Sequence, residues 1–319
     1  MTRLVTIATL NMGYYTNTTY QDGYRHPGGI PFGGTLENNL ALLESKILEA
    51  GQRFRADFCC FTEIALSLGL TGEEAQRAVV RIPGPEVERL ARAARAAQTH
   101  VIVGLLERAE PMGYNSAVLL GPDGDLLGTY RKVHITPTEY TNDTYPRTHG
   151  DAWPVFETRH GKVGIQICYD YYFPESTRCL ALGGAEIVFC PTMQDSRGIE
   201  QMMALQKARA IDNGVYYVSS VMFTGGHEPH SSARSVIIDP VGVVRADSGF
   251  GDGWAVATVD LDEHFPQRWA GLPHPQNTRQ MIFNCRRPST YGRIVEPKHA
   301  VPWRKVVLDG SDPPYPISP

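Results

Sequence analysis

Cys168 is the residue of this chain best placed for covalent chemistry. It lies in K-V-G-I-Q-I-C-Y-D-Y-Y-F-P-E, Lys162 to Glu175, where Val163, Ile165 and Ile167 alternate with small or polar neighbours at the period of a strand buried on one face. Pro174 suits the first turn of a helix and Glu175 is favourable at its positive end, so a helix is expected through Ser176–Leu182 to Gly183-Gly184. A thiol in such a turn faces backbone N–H groups, which would lower its pKa and could hold an oxyanion. Cysteine is also among the most buried residue types, so a functional reading needs a base and an oxyanion donor nearby.

Candidates for both lie upstream. D-F-C-C-F-T, Asp57 to Thr62, reads as a buried strand with Glu63 at its end, although a lone carboxylate there is more often a solvated loop residue. R-K-V-H-I-T-P-T-E carries Lys132, His134 and Glu139; a lysine held near the thiol would be a fixed cation for thiolate and oxyanion alike. A Cys-His pair with His134 or His149 is equally allowed by residue type, and spacing does not decide between them. Thr192, Met193 and Gln194 end the next strand, where sheets of this kind hold substrates.

Other chemistries lack their parts. His227 and His230 form H-E-P-H in a Gly- and Ser-flanked loop, without H-E-x-x-H, so no metal is called for. No G-x-S-x-G occurs, and Ser232 precedes a strand rather than an elbow. The glycines between Asn11 and Gly34 fit neither a P-loop nor a dinucleotide fingerprint, so no cofactor is expected. That Tyr-rich stretch reads as a lid or an oligomer contact.

The elements that must position these residues alternate. Strands are expected at Leu4–Leu10, Asp57–Thr62, Val101–Leu106, Asn115–Leu120, Leu126–Arg131, Val155–Thr158, Ala185–Pro191, Val215–Met222, Arg234–Asp239, Val243–Asp247 and Trp254–Leu261. Thr35 caps a helix ending near Gly51, and Pro85–Gln98 and Glu200–Asn213 are helical. G-P-D-G, R-H-G-K and D-P-V-G mark hairpins. The reading is one α/β domain of layered sheets covered by helices, residues 1–272, with a Pro-, Arg- and His-rich tail, 273–319, packing as an extended arm on this domain or on a neighbouring subunit.

Composition narrows the partners. A net charge of −4 over 319 residues provides no basic stripe for nucleic acid or anionic membrane. The first residues enter a β-type run without a signal-peptide h-region, and the six cysteines show no C-x-x-C pair, so a cytoplasmic protein with reduced thiols is expected.

T-E at Glu63, K-V-H-I at Lys132, and C-Y-D-Y-Y-F-P-E followed by L-A-L-G-G-A-E-I-V-F-C-P-T together closely resemble the nitrilase superfamily of carbon–nitrogen hydrolases. The resemblance extends through K-A-R-A-I-D-N-G-V-Y-Y-V and I-I-D-P-V-G-V-V, with Asp212 standing where relatives usually carry Glu. It implies a four-layer α-β-β-α sandwich, assembly into homodimers or larger oligomers, and a Glu-Lys-Cys triad of Glu63, Lys132 and Cys168. Glu139 resembles the second glutamate that relatives carry after the lysine, positioning substrate and Lys132. The implied reaction is hydrolysis of an amide or N-carbamoyl amide through a Cys168 thioester, with the Tyr169 N–H and Lys132 on the oxyanion. Cys-Tyr-Asp at the nucleophile is closer to amidases and carbamoyl-amide hydrolases than to the Cys-Trp-Glu of nitrilases. Tyr171 and Tyr172 stand where D-amino-acid carbamoylases carry arginines, which favours a neutral or amine-bearing amide; Tyr169, Tyr172, Thr192, Met193 and Gln194 are the candidate substrate contacts. Nitrile hydrolysis, acyl transfer to an amine and a noncatalytic interaction role are the alternatives.

Overall fold

Apolar residues at period two, covered on both faces, build two facing sheets. The computed structural model describes residues 2–14, 34–140, 145–194, 199–224, 234–249, 253–263, 265–267, 271 and 273–296. The first sheet contains β1 (Leu4–Tyr14), β2 (Phe58–Cys60), β3 (His100–Glu107), β4 (Tyr114–Leu120) and β5 (Leu126–Arg131). The second contains β6 (Val155–Thr158), β7 (Gly161–Ile165), β8 (Ile187–Gln194), β9 (Tyr216–Thr224), β10 (Val236–Ile238) and β11 (Val244–Asp247), while β12 (Gly253–Asp260) returns to pair antiparallel with β1. The first sheet runs in the order β5-β4-β3-β2-β1 with β12 beside β1, and the second runs β6-β7-β8-β9-β10-β11. The end of β1 joins the two sheets, pairing Met12 with Met222 and Tyr14 with Thr224.

Three apolar layers separate four layers of structure. Val5 and Ile7 of β1, Ile187 and Phe189 of β8 and Val218 of β9 meet between the sheets. On the opposite faces, Ala8, Leu10 and Met12 pack with Leu40, Leu43 and Ile47 of α1 (Leu36–Phe54) and Leu90 and Ala94 of α2 (Pro85–Ala97). Val188 and Cys190 pack with Leu180 of α3 (Pro174–Leu182) and Ala210 of α4 (Ile199–Asn213). Strict alternation along β1 and β8 therefore fixes which residues face helices and which face the other sheet. This is the α-β-β-α sandwich.

Several boundaries differ from the sequence expectation for physical reasons. Strand β1 runs past Leu10 because its last residues find β9, a partner more than 200 residues away. Thr35 caps α1 as expected, accepting from the Asn38 N–H, but Gly51 lies inside the helix and Arg55 takes the left-handed cap conformation. Gly51 is required by packing instead: a Cβ there would meet the Ala97 carbonyl oxygen at 2.2 Å. Within the tail, residues 278–284 form a short helix, α5 (Thr278–Asn284), capped by the Asn277 side chain, where an extended arm is expected. Its Arg279 donates to the carbonyls of Ala181 and Ala185 at the end of α3. The loop from 15 to 33, His227, His230, Ser232 and the tail beyond 296 lie outside the described residues. Among those described, no helix is long and apolar enough to cross a membrane.

Candidate active site

Parallel pairing gathers the candidate residues at one edge. β1, β2 and β3 are mutually parallel, as are β7, β8 and β9, so the C-terminal ends of β2, β7 and β8 leave the sheets together. β4 reverses and β5 reverses again, so Lys132 after β5 and Asn115 at the start of β4 reach the same edge. Gly104 permits a close approach here, since a Cβ on it would lie 2.6 Å from the Glu63 Cα.

Four buried side chains interlock there. Lys132 Nζ donates to Glu63 Oε1 at 2.9 Å and to Glu139 Oε2 at 2.8 Å. Asn115 Nδ2 donates to the same two carboxylates, at 2.7 Å to Glu63 Oε1 and 2.6 Å to Glu139 Oε1. The Thr136 N–H adds a bond to Glu139 Oε2, and the Met193 N–H donates to Glu63 Oε2, both at 2.8 Å. The Lys132 side chain is only 1% exposed. Desolvating three charges costs several kcal/mol per ion, so such a cluster is weak evidence of stabilisation and a stronger sign of a site.

Cys168 faces this cluster from a strained turn. It has φ +45°, in the left-handed region that costs a residue with a Cβ about 1–2 kcal/mol, and opens a 3₁₀ turn, Cys168–Tyr172. Asp170 fixes the turn: its buried carboxylate accepts from the Ile167 N–H at 2.8 Å, the His134 N–H at 2.9 Å and the Tyr130 hydroxyl at 2.7 Å. Arg209 of α4 holds the other end by donating to the carbonyls of Tyr171 and Tyr172. The Cys168 Sγ–H donates to the Met193 carbonyl at 3.3 Å. The Tyr169 N–H, next in the chain after the sulfur-bearing residue, makes no bond to a backbone carbonyl outside this turn among the described residues.

The electrostatics correct one expectation. The turn does not lower the Cys168 pKa: burial pushes the thiol well above its ordinary value, the Glu63 charge adds to this, and Lys132 opposes it. Burial also works against the Lys132 ammonium, but on balance its pKa is raised, with Glu63 the largest charge favouring the protonated lysine and Glu139 adding to it. Glu139 is pulled below the usual carboxylate range despite burial, by the Lys132 charge and by hydrogen bonds from Asn115, Lys132 and the Thr136 N–H. These shifts favour the thiol over the thiolate at Cys168 and the ammonium at Lys132.

Glu63, Lys132 and Glu139 are joined by hydrogen bonds and the Cys168 sulfur lies within their field, while the histidines do not join them. His134 Nδ1 lies 2.9 Å from Asp170 Oδ1 and its ring stacks on Phe173 at 3.7 Å, while His149 bonds the Val133 carbonyl. Tyr169 and Tyr172 are half-buried on the turn with rings 5.4 Å apart. Met193 is 42% exposed and touches the cluster through its backbone. Thr192 is fully buried, its hydroxyl against Cys190 and its carbonyl accepting from Thr62, so its side chain faces the interior. The Gln194 side chain lies outside the described residues. Asn115 and the anchoring role of Asp170 were not singled out from sequence; the signals were a polar residue opening an apolar strand and an acid two residues after the thiol.

Residues 28–266 match the family model for carbon–nitrogen hydrolase. A probable nitrilase of Schizosaccharomyces pombe is 31% identical over 221 residues, 67% of this chain and 76% of that protein. The deaminated glutathione amidase of Mus musculus is 35% identical over 193 residues, 58% of this chain and 57% of that one, so the match spans little more than half the amidase. The crystal structure of a carbon–nitrogen hydrolase from Helicobacter pylori G27 superposes with a TM-score of 0.70 at 19% identity, covering 92% of this chain and 99% of that chain, a likeness of fold.

Proposed function

The chain belongs to the carbon–nitrogen hydrolase family, and from that premise we propose that it hydrolyses a non-peptide amide through a thioester on Cys168. The observation that carries the reading is Glu63, whose carboxylate bonds both Lys132 Nζ and the Met193 N–H, while the Met193 carbonyl accepts from the Cys168 thiol.

Burial and the Glu63 charge favour the protonated thiol, so the Cys168 proton leaves as the sulfur attacks. Glu63 takes that proton and the sulfur bonds the amide carbon. The resulting oxyanion is held by the Lys132 ammonium and the Tyr169 N–H. Glu63 then delivers the proton to the departing nitrogen, the C–N bond breaks, and ammonia or an amine leaves a thioester. Water attacks the thioester as Glu63 takes its proton; the intermediate collapses, the proton returns to sulfur, and the carboxylic acid departs. Glu139 and Asn115 hold Lys132 and Glu63 in register throughout.

The test is ammonia release by wild type and C168A over aliphatic amides, aromatic amides, N-carbamoyl amines, N-carbamoyl amino acids and nitriles. Cysteine-dependent release from the amides is the expected result. Equal release by C168A, or release from nitriles alone, would sink the reading.

A further inference from the structure

We propose that Arg147 is a positioning residue that supplies the fourth charge of the site, keeping Glu139 ionised and the cluster neutral while the Cys168 proton moves. The inference rests on the roles of Glu63, Lys132 and Cys168 proposed above.

Two carboxylates, Glu63 and Glu139, share one ammonium, so without a further cation the cluster would carry an uncompensated negative charge. Arg147 lies beside it, only 9% exposed, with Nε 4.0 Å from Glu139 Oε1. That Nε is buried and without a hydrogen-bond partner. A guanidinium carries five N–H donors, and a buried donor left unused is costly, so the position calls for an explanation. Its backbone is held independently: the Arg147 N–H donates to the Glu139 carbonyl at 3.2 Å, and the Thr148 N–H donates to Gly113 at 2.9 Å. The backbone that carries the guanidinium is therefore held without help from the ion pair.

At 4.0 Å the contact with Glu139 is too long for a hydrogen bond but close for two charges in partly dry surroundings. Glu139 has other donors on both oxygens: Asn115 on Oε1, and Lys132 and the Thr136 N–H on Oε2. Arg147 adds charge without displacing them. The groups acting on Arg147 are Glu139, Glu63 and Tyr145, and burial lowers its own pKa while these three raise it. During the reaction the negative charge passes from Glu63 to sulfur and then to the oxyanion. With Arg147 the sum stays zero at each stage; without it the sum is −1, which favours protonation of Glu139 and disfavours thiolate and oxyanion.

The experiment compares kcat/KM against pH for wild type, R147K, R147Q and C168A, on amides with and without a carboxylate. R147Q is expected to lose about 10- to 100-fold on both kinds of amide with its acidic limb moved to higher pH, and R147K to recover most of both changes. Should R147Q fail to fold, the double variant R147Q/E139Q removes one charge of each sign and is expected to fold. A wild-type pH profile in R147Q, or failure of the double variant as well, overturns the proposal. So does a loss confined to KM for carboxylate-bearing amides, which would make Arg147 a substrate contact. Activity surviving in C168A strikes the proposed function first and the charge role with it.

Discussion

Asp170 accepts a hydrogen bond from the Tyr130 hydroxyl at 2.7 Å, and both side chains are fully buried. The bond ties the turn carrying Cys168 to the strand that delivers Lys132, so these two residues share one anchor. Y130F keeps the ring, which packs on Trp153, and removes two bonds, the one to the Asp170 carboxylate and the one the hydroxyl oxygen accepts from the Val133 N–H at 3.2 Å. It should cost about 1.5–3 kcal/mol in chemical denaturation and lower turnover by loosening the turn. Wild-type stability in Y130F would show the anchor to be idle.

Replacing Lys132 should damage fold and reaction separately. K132M leaves Glu63 and Glu139 buried without the ammonium between them, a change expected to cost about 3–5 kcal/mol. Loss of an oxyanion donor should reduce kcat by about 10²–10³-fold. Because protonation relieves an unpaired carboxylate, the stability loss should shrink when denaturation is repeated near pH 4. A loss independent of pH would point to packing alone.

Much of this arrangement was legible because it is local. The period of Val163, Ile165 and Ile167 and the Pro174 start signal place Cys168 at a turn, and Glu63 and Lys132 sit at strand ends for the same reason. What stayed hidden depends on pairing between distant segments. Asn115 bridges two carboxylates only because β4 runs antiparallel to β3, and β1 reaches Tyr14 only because β9 lies beside it. The raised thiol pKa is not legible in the sequence, because a turn's N–H groups can be seen there, whereas desolvation and the nearby Glu63 charge cannot.

Asn115 offers a test of that hidden pairing. N115A removes donors to both Glu63 and Glu139 without touching a charge. Each bond to a charged group is worth about 1.5–3 kcal/mol, so kcat/KM should fall about 10- to 100-fold. N115D should be worse, because it brings a third carboxylate into contact with two others. Equal activity of the two variants would mean that Asn115 only fills space.

Arg279 should decide whether residues 273–296 belong with the sandwich. Its Nη2 donates to Ala185 O at 2.9 Å and Ala181 O at 3.2 Å, satisfying carbonyls at the end of α3, while Thr278 Oγ1 bonds Phe265 O at 2.8 Å. R279A should release α5, seen as faster proteolysis between residues 273 and 290 and a lower melting temperature. Unchanged cleavage would assign this segment no holding role.

Cys168 should react with an alkylating agent only as its proton is drawn off by rising pH. Its folded pKa is raised, so the native state holds the proton more tightly than the unfolded chain, whose thiol ionises near about 8.5. The stability this contributes is fully present below that value and is lost as pH rises toward the folded pKa. Glu139 is shifted the other way, so its contribution is present above the unfolded carboxylate value, about 4.3, and is lost as pH falls through its lower folded value. The protein should therefore be most stable between these limits, and C168A should flatten the alkaline decline. Alkylation of Cys168 by iodoacetamide, followed by mass spectrometry to separate it from exposed Cys179 and Cys285, should climb with pH through 9 without levelling. Levelling below pH 7 would reveal a preformed thiolate, and the proton transfer assigned to Glu63 would then have no proton to carry.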